Sequence, residues 1–187
     1  MAVTYRGFDT MLARPVAIKQ IASNLASNPK WCKQFRKEAQ MVARLWDARN
    51  VVRIYELLST REGLFLILEY VDGRSLEELI AEDKLGVQAS LEIIWNVALG
   101  LRAIHGKGII HRDIKPANIL VPPNRKARIV DFGVAGGAGS SAGMGTTRYM
   151  APELFAGSRA DGRCDIYSLG MVGFEMLVGR QRFNELF

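Results

Sequence analysis

Cysteine is scarce in this chain: Cys32 and Cys164 are the only two among 187 residues. Far apart in sequence, they form neither a metal-ligand spacing nor a disulfide framework, and a reducing compartment is the simplest expectation. Long apolar runs are missing too. The most apolar late stretch, IYSLGMVGFEMLV, is short and contains Ser168 and Glu175, so no run approaches a membrane span. The start, MAVTYRGFDT, is polar and lacks the apolar core of a signal peptide. A cytoplasmic location follows as an expectation, with any membrane anchor outside this chain. No internal repeat is present. The net charge is +6, yet no long basic run stands out, which argues against a nucleic-acid surface and leaves anionic ligands such as phosphates.

What is present is ordinary for a folded protein: 49% hydrophobic and 24% charged residues, in a length that suits one sizeable domain or two small lobes. The first part reads as strands around one helix. VAIKQI (16–21) alternates as a strand, with Lys19 on the face of Ala17 and Ile21. After an Asn/Ser/Pro loop, FRKEAQMVARLW (35–46) has helical spacing, with Phe35, Val42 and Leu45 on one stripe. Glu38 lies on that same apolar stripe, where a carboxylate wants a cationic partner. VVRIYEL and LFLILEYV read as two strands joined by a turn at Arg61, Glu62 and Gly63.

The pattern changes after VDGRSLEELI. Asp72 and Gly73 mark a turn and Ser75 suits a helix cap. SLEIIWNVALGLRAIH (90–105) predicts an amphipathic helix capped by Ser90. NILV and ARIV predict a hairpin across PPNRK, followed by the Gly/Ser/Ala-rich GVAGGAGSSAGMG. DIYSLGMVGFEMLV (165–178) is apolar nearly all round, which predicts a helix buried on every side.

Between the long amphipathic helix and the hairpin stands HRDIKPANIL (111–120), which packs an Asp, a Lys and an Asn between apolar stretches. Such residues are expensive in buried surroundings unless they are paired or bind an ion. The bland reading is a polar turn. VAIK, HRDIKPAN, DFG and APE occur in that order, with a helical Glu between the first two. Together they closely resemble a eukaryotic-type serine/threonine protein kinase, in style the bacterial receptor-like branch, over almost the whole chain. The resemblance implies an α+β bilobal fold: an N-lobe over 1–68, a hinge at 69–73 and a mainly helical C-lobe over 74–187.

It also implies ATP and Mg²⁺, with the γ-phosphoryl group transferred to protein Ser/Thr hydroxyls. Lys19 would hold the α/β-phosphates and Glu38 would pair with it. Asp113 would accept or orient the substrate hydroxyl proton, and Lys115 would contact the γ-phosphate. Asn118 and Asp131 would hold Mg²⁺ through oxygen. Ala17 and Leu120 would sandwich the adenine. Glu69 and Val71 would offer it backbone groups, with Leu68 behind. His111 and Phe132 would pack. Asp165 would anchor the catalytic loop, with a plain N-cap as its simpler role. Arg112 would pair with a phosphorylated loop, for which Ser140 and Ser141 are the candidate sites. Thr146 would line the substrate site first and be a phosphosite second.

Two departures stand out. The chain starts where the family's Gly-rich loop ends, with Ala2 at the third glycine, and it stops soon after the apolar helix. The expectation is a chain truncated at both ends, poorly soluble alone because that helix is uncovered. The competing class is a catalytically inactive fragment or pseudokinase-like module that binds nucleotide or docks. The intact Lys19, Glu38, Asp113, Asn118 and Asp131 argue against degeneration.

Overall fold

The computed structural model describes residues 3–21, 28–61, 63–82, 85–131, 147–155 and 160–187, with Lys30, Gln34 and Glu38 described by backbone only. Ala2, Phe132, Ser140, Ser141, Thr146 and the Glu38 side chain therefore lie outside the described residues. The chain divides into two compact units: residues 1–47 with 52–71, and residues 48–51 with 72–187.

The first unit is an antiparallel sheet with one helix. Strands β1 (Val3–Asp9), β2 (Arg14–Gln20), β3 (Ile54–Thr60) and β4 (Gly63–Glu69) lie in the order β1-β2-β4-β3. Alternation fixes the register. Leu64, Leu66 and Leu68 of β4 are buried, and Lys19 of β2 stands opposite Leu66. Helix α1 (Pro29–Ala43) packs on β3. It begins well before Phe35: the Asn28 side chain accepts the Trp31 N–H and Pro29 occupies the first turn, where a missing N–H costs nothing. Phe35, Ala39, Val42 and Leu45 are buried at helical spacing. Each large side chain among them contributes roughly 1.5–3 kcal/mol.

The second unit is mainly helical. Its small sheet, β5 (Arg74–Ser75), β6 (Ile119–Val121) and β7 (Arg128–Ile129), contains the expected hairpin. Gly73 precedes it at a close approach; an added Cβ would meet the Val121–Pro122 backbone at 2.7–2.8 Å. Helix α2 (Leu76–Ala81) opens with a capping box. Ser75 Oγ accepts the Glu78 N–H and Glu78 Oε2 accepts the Ser75 N–H. Residues 48–51 join this unit through Asn50, which accepts the Ile129 N–H on its carbonyl and donates Nδ2 to Asn96 Oδ1 and the Ala127 carbonyl.

Helix α3 spans Val87–Gly106, three residues longer at its start than the spacing predicts. Its N-cap is Gly86, not Ser90. Ser90 is buried inside the helix and returns its hydroxyl to the Gly86 carbonyl at 3.1 Å. By length and composition α3 is long and apolar enough to cross a membrane, a test that core helices also pass. Its apolar stripe (Ile93, Val97, Leu101 and Ile104) is buried within the unit. After the short α4 (Pro152–Phe155), helix α5 (Gly162–Val178) packs on α3 and is followed by α6 (Arg180–Leu186). Helix α5 is not buried on every side. Leu169, Val172 and Met176 are covered, but Ile166, Tyr167, Phe174 and Leu177 are exposed.

Candidate active site

The loop from His111 to Asn118 is tied down by one buried carboxylate. Asp165, in the first turn of α5, has no solvent exposure. Its Oδ2 accepts the His111 N–H at 2.9 Å and its Oδ1 accepts the Arg112 N–H at 2.8 Å. His105 Nε2, from the last turn of α3, lies 2.8 Å from Oδ2. The N-cap role that the sequence left open for Asp165 belongs instead to Asp161, whose side chain accepts the Arg163 N–H. The bonds to Asp165 hold Arg112 in the left-handed region, at φ 66°. That conformation costs a non-glycine residue about 1–2 kcal/mol, less than two hydrogen bonds to a carboxylate return.

His111 is buried, and its partners fix its tautomer. Nε2 lies 3.1 Å from the Val130 carbonyl, which can only accept, so Nε2 carries the proton. Nδ1 accepts the Asp113 N–H at 3.3 Å. Burial pushes the imidazole pKa down and keeps the ring neutral, although Asp165 pulls the other way. His111 thus holds the loop and is no base.

Asp113 is about one-third exposed, and its Oδ2 is doubly held. Asn118 Nδ2 donates to Oδ2 and to the Asp113 carbonyl, both at 2.8 Å. Lys115 Nζ sits 2.8 Å from the same Oδ2. Oδ1 has no hydrogen-bond partner among the described residues and is the oxygen open to a ligand. Pro116 starts the 3₁₀ turn Pro116–Asn118, while Ile114 and Ile119 are buried on either side. The Val130 N–H donates to the Asn118 carbonyl at 3.0 Å, which brings Asp131 next in chain; Asp131 is exposed and has φ 55°. The structure thus brings Asp113, Lys115 and Asn118 into direct contact. Leu120 follows on β6, half-buried.

Ala17, Lys19, Leu68, Glu69 and Val71 belong to the first unit. Ala17 pairs with Leu68 across β2 and β4. The Glu69 N–H donates to the Arg53 carbonyl at 2.9 Å, so of its two backbone groups the N–H is committed to the residue before β3.

Sequence reasoning missed two contributors. His105 supports Asp165 from 60 positions away, and a lone histidine at a helix end gives no signal of it. The other is a buried cluster on α5. The Tyr149 hydroxyl donates to Glu175 Oε2 at 2.6 Å, and Arg180 Nε lies 2.7 Å from Glu175 Oε1. The arginine N–H groups are not aimed at that oxygen, so the contact is an ion pair without a hydrogen bond. Burial and the neighbouring carboxylate push the Tyr149 phenol well above its ordinary pKa. Ser168 donates to the Tyr149 carbonyl at 2.7 Å and so holds this segment to α5.

The family model for the protein kinase domain matches residues 1–186. The chain belongs to the protein kinase family. It is 36% identical over 190 residues to the serine/threonine-protein kinase PknL of Mycobacterium tuberculosis, covering 98% of this chain and 47% of that protein. It is also 36% identical to a probable serine/threonine-protein kinase of Streptomyces coelicolor, covering 98% of this chain and 29% of that protein. The chain therefore spans about a third to a half of these curated relatives. Among solved structures, the kinase domain of M. tuberculosis PknI matches with a TM-score of 0.77 at 27% identity, covering 94% of this chain and 67% of that one. The bilobal kinase fold expected from the motifs is the fold found.

Proposed function

We propose that this kinase chain carries the phosphoryl-transfer centre of a serine/threonine protein kinase, which moves the γ-phosphoryl group of ATP to a protein hydroxyl. The observation that carries the reading is the Asp113–Lys115–Asn118 cluster. One carboxylate oxygen is held by a lysine and an amide, and the other is open. In the reaction the hydroxyl oxygen bonds to the γ-phosphorus while the bond to the β-bridging oxygen breaks. Asp113 Oδ1 orients the hydroxyl and takes its proton, and ADP leaves. Lys115 offsets charge on the moving phosphoryl group as a mobile point charge. Lys19 is assigned to the nucleotide phosphates, paired with Glu38. Ala17, Leu120, Glu69 and Val71 are assigned to the adenine, and Arg112 to a phosphorylated loop.

Mg²⁺ fits the donors present. The hydrogen bonds of Asn118 fix Nδ2 on Asp113, so the amide presents an oxygen elsewhere, and Asp131 adds an exposed carboxylate. Hard cations take oxygen ligands of this kind. When bound, the metal supplies charge neutralisation at the phosphates. The residues named here would hold it.

The test is transfer of ³²P from ATP to a generic protein substrate. Asp113→Asn, which keeps the shape and removes the base, should lower transfer by about 10²–10⁴-fold. Unchanged transfer in that variant would remove Asp113 from its role. Nucleotide binding seen as a thermal shift, with no transfer by the parent chain, would replace the enzyme by a binding module.

A further inference from the structure

We infer that the solvent face of α1 is a docking site for a phosphorylated peptide segment. Residues 29–44 carry five cations (Lys30, Lys33, Arg36, Lys37 and Arg44) against one acid, Glu38, which is +4 of the chain's +6. The side chains of Lys33, Arg36 and Lys37 are exposed. With Pro29, Cys32 and Gln40 they line a groove of about 380 Å³ on the face opposite buried Phe35, Ala39 and Val42. None of the three cations has an acidic partner among the described residues. Elsewhere Arg74 is paired with Glu78 and Glu82, Arg125 with Glu92 and Arg163 with Asp161.

The placement works against the helix itself. The first turn holds the cation Lys30 and no acid, which opposes the positive end of the helix dipole. Lys33 and Lys37 are also one turn apart, where like charges repel. A local rule broken without local compensation points to a function. A dense anion relieves both conflicts. A phosphoryl group suits this face better than a carboxylate, because it offers three acceptor oxygens and up to two charges to the Arg36 fork and the flanking lysines. Trp31, the aromatic on this part of the helix, is half-buried and stacked on Phe35 at 5.0 Å, so it is not available as a lipid anchor. This site goes beyond the catalytic reading and does not depend on it.

The experiment is fluorescence anisotropy of a labelled serine-rich peptide carrying two phosphoserines, titrated with the chain. Its unphosphorylated twin, phosphatidylserine vesicles and a duplex DNA serve as competitors. The expected result is saturable binding of the phosphopeptide only, weakened by salt. The variant K33E/R36E/K37E should weaken it by about tenfold or more, while K33R/K37R retains it. Thermal unfolding of both variants keeps the comparison to folded protein. Equal binding by the charge-reversed variant would overturn the proposal, as would no binding, the signature of a merely solvated basic face. Preference for the vesicles or the DNA would overturn it in favour of a membrane or nucleic-acid surface.

Discussion

Asp165 holds His111 by its backbone N–H, at 2.9 Å and from 54 positions away, inside a fully buried setting. The same carboxylate holds Arg112, so one side chain sets the path of the loop on which Asp113 stands. Asp165→Ala leaves the buried His111 N–H without a partner, at about 1–3 kcal/mol, and frees the part-buried Arg112 N–H as well. A lowered melting temperature and a collapse of phosphoryl transfer are expected together. Wild-type transfer by Asp165→Ala would show that the loop keeps its path without the anchor.

His111 sets a dependence on pH. Its folded pKa lies below the ordinary histidine value because burial disfavours the charged ring. Above about pH 6.5 both folded and unfolded states are neutral at this residue, and its contribution is intact. As pH falls below that value the unfolded chain takes up the proton and the folded one does not. Stability is then lost at up to about 1.4 kcal/mol per pH unit, down to the folded pKa. Urea unfolding between pH 7.5 and 5.5 should show this slope in the parent and a flatter one in His111→Gln.

Asn118 serves two masters, Asp113 through its amide N–H and the proposed Mg²⁺ through its oxygen. Asn118→Ala is expected to raise the Mg²⁺ needed for half-maximal transfer by about 10–100-fold. A variant with the parent's magnesium curve would confine Asn118 to positioning Asp113.

The Tyr149–Glu175–Arg180 cluster is read by a double-mutant cycle. Arg180→Met strands a buried carboxylate and should cost about 3–5 kcal/mol in unfolding free energy. Tyr149→Phe should cost about 1.5–3 kcal/mol through the lost hydrogen bond to a charged group. Adding Glu175→Gln to Arg180→Met should recover part of the loss, because the stranded charge is then gone. Additive losses would mean that Glu175 and Arg180 do not act as a pair.

Legibility followed range in sequence. Strands β2, β3 and β4, the β6–β7 hairpin and the Ser75 cap rest on residues a few positions apart, and they were readable. The closeness of Asp113, Lys115 and Asn118 in the chain was readable, but not that Lys115 and Asn118 both hold Asp113 Oδ2. The start of α1 was misplaced although Asn28–Pro29 is a start signal; the apolar stripe, which begins only at Phe35, outweighed it. Ser90 reads as a cap, but the helix starts at Val87, which hands the cap to Gly86. The composition of α5 suggested burial on all sides, yet Ile166 and Leu177 are more than half exposed. Composition cannot say which faces find neighbours. His105–Asp165 and Tyr149–Glu175 join elements distant in the chain, and nothing local records them.

Cys164 stands beside Asp165 in α5, buried, with its thiol pushed up to about 11 by its burial. Thiolate, the form that reacts, is therefore nearly absent while α5 is seated. The residue is a built-in clock for this helix. Its rate of alkylation, measured against half-buried Cys32, counts how often the segment that grips the loop of Asp113 lets go.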